Sequence, residues 1–289
     1  MNISVVIVAF KSDHLLKNLI SSIPSNFEII VVENSLQNKT KNDLETKFSN
    51  VKVLIPSENL GYSGGINLGI EKSKHNFVLA LVADVVLSIE MLQNFEECIE
   101  QFNDFALLAP VYENPTVHKN FKIFHNNKIN KTKIKNFNLI EVDEIDGACF
   151  LVNKNEFTSK KIMDDNFFLY FESTDLSFQL KKNKKKMYVI DNLYFTHKGL
   201  ASSNKEYEFE ILLNRNWHYS WSKFYFYRKN NNYFYALKKL SPNLLRSLVS
   251  YLHSKFIFDN KKAKLNRAII SGIFNAILLR KSFYRPNIK

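Results

Sequence analysis

Ile3-Ser4-Val5-Val6-Ile7-Val8-Ala9 is an unbroken apolar run, the pattern of a strand covered on both faces. Directly after it Leu15, Leu16, Leu19, Ile20 and Ile23 recur at helical spacing, with Ser12 or Asp13 in the capping position. A buried strand feeding an amphipathic helix is the opening of a crossover unit, and the pattern repeats outward from there. Residues 27–32 and 51–55 read as the second and third strands, 66–72 as a short helix, and 77–82 as a fourth strand. Residues 89–102 read as a helix and 106–109 as a fifth strand. Repeated strand–helix alternation predicts an α/β fold with a mostly parallel, Rossmann-like sheet and helices on both faces.

Residues 113–145 lose this alternation, and 126–136 are polar and rich in Lys and Asn, as in a surface segment. Order returns at 147–152, near Asn155, over 172–182, and in two short strands at 187–190 and 194–196. The C-terminal third is helical by pattern. Trp217, Trp221, Phe224 and Tyr225 share one helix face, Ser241-Pro242 reads as a helix opening, and Leu244, Leu245, Leu248, Val249, Leu252 and Phe256 form the apolar face behind it. A last helix carries Leu265, Ile269, Ile273, Phe274, Ile277 and Leu278 among basic residues. The expected division is a catalytic domain over 1–204 and a helical, basic region over 205–289.

Composition narrows the function classes. At 289 residues and 45% hydrophobic content the chain can bury a sizeable core. Cys98 and Cys149 match no metal or redox spacing and read as reduced thiols of a cytoplasmic protein. The first apolar run is too short, and lacks the basic flank, for a signal peptide, and no run reaches the roughly 18 residues of a membrane span. The net charge of +12 is unevenly placed: residues 205–289 carry 17 Lys+Arg against four Asp+Glu, while residues 1–204 carry 23 against 24. A basic helical tail predicts an anionic partner, such as the inner face of a membrane or a pyrophosphate-linked acceptor. Nucleic acid ranks below these, because the aromatics at 217–229 have the helical spacing of packing residues rather than of stacking platforms.

Three places carry possible chemistry. Four of the seven glycines, Gly61, Gly64, Gly65 and Gly69, fall in Asn59-Leu60-Gly61-Tyr62-Ser63-Gly64-Gly65-Ile66-Asn67-Leu68-Gly69. Such a stretch suits either close backbone approach to an anionic ligand or tight packing. Asp84 follows the fourth strand, where open parallel sheets bind ligands and a carboxylate can hold a cation on a diphosphate; it also suits a turn. Glu172 and Asp175 stand at i and i+3 after the aromatic run Phe167-Phe168-Leu169-Tyr170-Phe171. A carboxylate against aromatic walls can have a raised pKa and act as a general base, and both residues equally suit the first turn of a helix.

In this order and spacing the pieces resemble the family 2 inverting glycosyltransferases of GT-A fold, and among them bacterial rhamnosyltransferases of cell-surface polysaccharide synthesis. The matching residues are Ser4 to Ala9 with Lys11, Ile29 to Ser35, Asn59 to Gly69, Asp84, Asp146-Gly147-Ala148, Phe168 to Glu172 with Asp175-Leu176, His197 with Ser202-Ser203, and Asn216-Trp217-His218-Tyr219. The resemblance implies a nucleotide-sugar donor lying against Ala9, Glu33, Asn59, Gly61, Gly64, Gly65 and Asn67. It implies Mg²⁺ or Mn²⁺ on Asp84 and His197, with Lys198 able to contribute to the diphosphate, and sugar contacts at Asp146, Gly147 and Trp217. Glu172 or Asp175 would be the base. The expected donor is dTDP-L-rhamnose or a UDP-sugar, and the expected acceptor a saccharide, polyprenyl-pyrophosphate-linked in one version. Several positions depart from the family pattern. Val82 stands where a carboxylate is usual, Ser173 follows Glu172 where Asp is usual, Glu33 replaces Asp, and Gln179 and Lys184 replace Arg and Gly. A chain so altered could instead be a donor-binding scaffold subunit.

Overall fold

The computed structural model describes residues 3–113, 119–124, 130–197, 205–286 and 288. The chain divides into two compact units. One comprises Met1–Asp164 and Ser173–Ser203, the other Asp165–Glu172 and Asn204–Lys289. The short segment ending at Glu172 thus goes with the C-terminal helices, which the simple division at residue 204 did not anticipate.

The first unit contains β1 (Ile3–Ala9), α1 (Asp13–Ser21), β2 (Glu28–Glu33), α2 (Asn38–Lys47), β3 (Val51–Leu54), α3 (Gly61–Lys72), β4 (Phe77–Val82) and β5 (Val85–Val86). It continues with α4 (Ile89–Gln101), β6 (Leu107–Tyr112), β7 (Phe121–Lys122), β8 (Lys131–Ile134), β9 (Phe137–Glu141), β10 (Glu144–Ile145), β11 (Cys149–Asn153), α5 (Glu172–Lys182), whose first residue belongs to the second unit, and β12 (Met187–His197). The main sheet runs β3-β2-β1-β4-β11-β6-β12-β9-β8, with β5 paired to the end of β12. β3, β2, β1 and β4 are parallel, as are β6 and β12, but β11 runs antiparallel between β4 and β6. The sheet is therefore mixed. Its core is apolar throughout: Ile3, Val5, Ile7, Ile29, Val31, Leu79, Leu81, Cys149 and Leu151 are buried together with Leu16 and Ile20 of α1 and Phe95 of α4. Because β1 feeds β2 on one side while β4 lies on its other side, the sheet has a switch point at the carboxyl ends of β1 and β4, where α/β sheets place ligands.

Several elements differ from the pattern reading. α2 was not anticipated: only Thr40 and Leu44 of its ten residues are buried, so it has almost no apolar period. The stretch 113–145 contains strands whose outward residues are polar, β8 having three exposed residues of four. The two late strands are one strand, β12, with an irregularity in its pairing between Ile190 and Tyr194. The glycine-rich stretch does not precede a helix but forms the first turns of α3. Two of its glycines face β1, on which α3 lies closely: a Cβ on Gly65 would stand 2.9 Å from Val8 Cγ1, and one on Gly69 would overlap Val6 Cγ1. Gly69→Ala is accordingly expected to destabilise the protein by about 1–3 kcal/mol in denaturant unfolding, and shortening Val6 to alanine in the same chain should recover part of that loss.

The second unit is built on α6 (Glu208–Asn230), α7 (Tyr233–Phe256) and α8 (Asn260–Ile277). Trp217, Trp221 and Phe224 of α6, Ala236 and Leu240 of α7, and Ala268, Ile273 and Ala276 of α8 form its core. Ser241-Pro242 does not open a helix; α7 runs through it. The carbonyl of Lys238, which loses its donor at Pro242, accepts from Ser241 Oγ at 3.2 Å instead. The true opening is Asn232, whose side chain accepts from Tyr235 N at 2.8 Å. Among the described residues no helix is long and apolar enough to cross a membrane.

Candidate active site

Three groups of side chains are the candidates for chemistry, two in the first unit and one in the second, and the backbone explains each. The first lies at the ends of β1 and β2. After Ala9 the chain turns through Lys11, at φ 54°, whose N–H donates to Ser35 Oγ at 2.5 Å. Glu33 ends β2 fully buried. Its Oε1 accepts from Ser35 N at 2.6 Å, while Oε2 has no partner among the described residues. Burial pushes the Glu33 pKa up, against the pull of the Ser35 bond. Next to it Asn34 clamps the start of α3, donating to the Gly61 carbonyl at 2.9 Å and accepting from Leu60 N at 3.2 Å. Asn59 accepts from Gly61 N at 2.9 Å, and Gly61, at φ 70°, adopts the backbone that favours glycine. Of the expected donor contacts, Ala9, Glu33, Asn59 and Gly61 therefore cluster at the strand tips. A Cβ on Gly64 would meet the Leu60 side chain and one on Gly65 would meet Val8, and the Asn67 side chain bonds the loop at Ile162 and Met163.

The second group is a chain of polar contacts, Asp84–His197–Tyr112–Asp146. β5 pairs antiparallel with the end of β12, setting His197 opposite Val85 and so beside Asp84. His197 Nε2 lies 3.3 Å from Asp84 Oδ1, and Nδ1 lies 3.3 Å from the Tyr112 hydroxyl. That hydroxyl donates to Asp146 Oδ2 at 2.6 Å, and Asp146 Oδ1 accepts from Ala148 N at 3.0 Å. The Gly147 carbonyl accepts from the Tyr62 hydroxyl. Burial raises the pKa of Asp146, with the Tyr112 and Ala148 bonds opposing. Burial, reinforced by the charge of Asp146, raises that of Tyr112. Which ring nitrogen of His197 carries the proton decides whether Nε2 presents an N–H or a lone pair to Asp84.

Asp84, His197 and Asp146 lie in one chain of contacts joined through Tyr112, and Gly147 follows Asp146. The sequence pattern marks neither Tyr112 nor Tyr62: its fifth strand ends at 109, short of the end of β6, and Tyr62 sits inside the glycine-rich stretch. Lys198, Ser202 and Ser203 lie outside the described residues. Among the described residues no three His, Cys, Asp or Glu side chains converge on one point. The donors present, one carboxylate and one imidazole, match the few protein ligands that a Mg²⁺ or Mn²⁺ ion shared with a substrate diphosphate takes.

The third group belongs to the helical unit. Tyr170 and Phe171 both have positive φ, 68° and 66°, a conformation costing about 1–3 kcal/mol per residue and held only where surroundings enforce it. Arg215 Nε donates to the Tyr170 hydroxyl, Ser222 Oγ donates to the Leu169 carbonyl at 2.9 Å, and Phe171 packs against Tyr219 and Phe226. The kink delivers Glu172 to the first position of α5. Glu172 is buried, its Oε2 has no partner among the described residues, and burial pushes its pKa up to about 7. Asp175, one turn further along α5 and in the first unit, is buried as well. Trp217, expected at a sugar, is 1% exposed and donates its indole N–H to Ser271 Oγ at 3.1 Å in the helical core.

Comparison with known proteins gives the family and the fold. The family model described as glycosyl transferase family 2 matches residues 4–157. The low-salt glycan biosynthesis hexosyltransferase Agl10 of Haloferax volcanii is 26% identical over 195 residues, 63% of this chain and 62% of that protein. The match thus spans under two thirds of that relative. The mannosyltransferase PcManGT from Pyrobaculum calidifontis, solved with GDP-Man and Mn²⁺, superposes with a TM-score of 0.58 at 8% identity, over 97% of this chain and 88% of that one. S. aureus TarS 1-349 in complex with UDP-GlcNAc superposes with a TM-score of 0.51 at 16% identity, over 99% and 93%. At such identities the likeness concerns the fold, which is GT-A-like, with a helical C-terminal region.

Proposed function

The chain belongs to glycosyl transferase family 2, and from that premise we propose that it is an inverting glycosyltransferase that moves a hexose from a nucleotide-sugar donor to a hydroxyl of a saccharide acceptor. The observation that carries the reading is Glu172, a buried carboxylate with an oxygen left unpartnered among the described residues and a pKa of about 7. A general base working near neutrality needs this poise. In the proposed step Glu172 takes the proton of the acceptor hydroxyl, the oxygen attacks the anomeric carbon, and the bond from that carbon to the diphosphate breaks on the opposite face. Asp175 is the second candidate for the base. Glu33 and the Asn59–Gly61 turn hold the nucleoside end of the donor, and Asp84 with His197 would hold a divalent cation. Such a cation supplies Lewis-acid stabilisation of the leaving group. Tyr112 fixes the His197 ring, and Asp146 and Gly147 face the sugar.

The name of the archaeal relative, a hexosyltransferase, supports a hexosyl donor, and the sequence resemblance favours dTDP-L-rhamnose ahead of a UDP-hexose. A polyprenyl-pyrophosphate-linked saccharide suits the basic helical unit as acceptor. The two free, buried thiols fit a cytoplasmic setting.

Thermal-shift titration with dTDP-, UDP- and GDP-sugars, with and without Mn²⁺, tests the reading. A cognate donor at a hundred times its Kd is expected to stabilise the fold by about 2.7 kcal/mol. Mn²⁺ should sharpen the affinity in the parent and lose that effect in Asp84→Asn. If no nucleotide sugar shifts the melting temperature, the donor site is wrong. If a donor binds but is neither transferred nor hydrolysed, Val82 and Ser173 mark a binding scaffold instead.

A further inference from the structure

α7 is inside out over its second half. On the side facing α8 it buries Ser247 and Ser254, at 7% and 0% exposure, and Asn266 of α8 donates to Ser250 Oγ at 2.9 Å. On the other side it leaves Leu245, Val249, Leu252 and Phe256 at 65%, 60%, 66% and 83% exposure. These four recur at i, i+4, i+7 and i+11 and so form one stripe. Phe258, just past the helix end, extends it at 86% exposure. An ordinary water-facing helix puts the serines out and the leucines in. A contiguous apolar stripe of this kind marks a surface meant to be covered.

The charges say by what. α7 carries Lys238, Lys239, Arg246 and Lys255, all exposed, and no Asp or Glu. By helical spacing Lys239 and Arg246 lie along one edge of the stripe and Lys255 along the other. α8 adds Lys261, Lys262, Lys264 and Arg267, and the nearby Asp259 is occupied in capping Lys262 N at 3.0 Å. A second copy of the chain would set these cations against their own kind. An acyl-chain interior beneath lipid phosphates matches both halves of the pattern, and no described helix is long and apolar enough to cross a membrane. We propose that α7 lies in the plane of an anionic membrane surface, with Leu245, Val249, Leu252 and Phe256 among the acyl chains and Lys239, Arg246 and Lys255 on lipid phosphates. The proposal concerns the helical unit alone and stands whether or not the transfer reading does.

Flotation of the full chain with extruded vesicles, of phosphatidylcholine alone or equimolar with phosphatidylglycerol, tests it. The chain is expected to float with the anionic vesicles and to be released by salt, each basic residue at the surface contributing about fivefold. Replacing Val249, Leu252 and Phe256 together by serine should cut the partition coefficient by roughly a hundredfold or more. Circular dichroism and melting temperature should stay unchanged, because those side chains already face water. Replacing Lys239, Arg246 and Lys255 by glutamine should remove the preference for phosphatidylglycerol. The proposal fails if the parent chain stays unbound with anionic vesicles, or if the triple serine variant floats as the parent does. It also fails if sedimentation velocity shows a concentration-dependent dimer that the serine variant abolishes while vesicles recruit nothing, since a second copy would then cover the stripe.

Discussion

Glu172→Gln is expected to lower the transfer rate by about 10²–10⁴-fold while leaving donor binding intact, because glutamine keeps the shape of the carboxyl but accepts no proton. The parent should show kcat/KM rising with pH through about 7, where burial sets the Glu172 pKa, and the variant should lose that limb. The same shift predicts an effect on stability, of opposite sense to activity. The folded chain keeps the Glu172 proton to a higher pH than the unfolded chain does. Its contribution to stability is therefore complete below the ordinary carboxylate range and is lost as pH rises through about 7. Above that pH the parent buries a charge that the glutamine variant lacks, so Glu172→Gln should be the more stable protein at pH 8, on the order of 3 kcal/mol, and equal to the parent near pH 4. Denaturant titrations at the two pH values read this directly. If Asp175→Asn loses transfer while Glu172→Gln keeps it, the base is Asp175. If both keep it, neither carboxylate is the base.

Trp217→Ala should produce the largest loss of stability among single changes in the helical unit, about 3–5 kcal/mol. Its ring fills the core shared by α6 and α8, and its indole N–H satisfies Ser271. Its carbonyl also lies where a Cβ on Gly272 would collide with it, so α8 packs directly on the α6 backbone at this point. Unfolding followed by far-ultraviolet circular dichroism would show the helical signal lost at much lower denaturant. The family resemblance alone had placed Trp217 at a sugar. That role predicts the opposite result: a raised KM for donor or acceptor with unchanged unfolding.

Much of this protein could be read from its residues in order. Period and composition identify β1, α1, β4, α4 and α5, because a buried strand and an amphipathic helix each write their environment into the chain. The order and spacing of Asp84, Glu172 and His197 carry a family resemblance, and their proposed roles come from it. Tertiary structure alone decided the rest. That β11 runs antiparallel is a matter of which strands meet, and nothing local encodes it. Gly65 and Gly69 are required by close packing because β1 lies beneath them. His197 reaches Asp84 only through the pairing of β5 with β12, across more than a hundred residues, and Tyr112 bridges His197 and Asp146 only once β6 is in the sheet. The apolar stripe of α7 was visible as a period, yet a period states that a helix has two faces and not what each one touches. Its exposure became known only when α8 was seen to cover the serines.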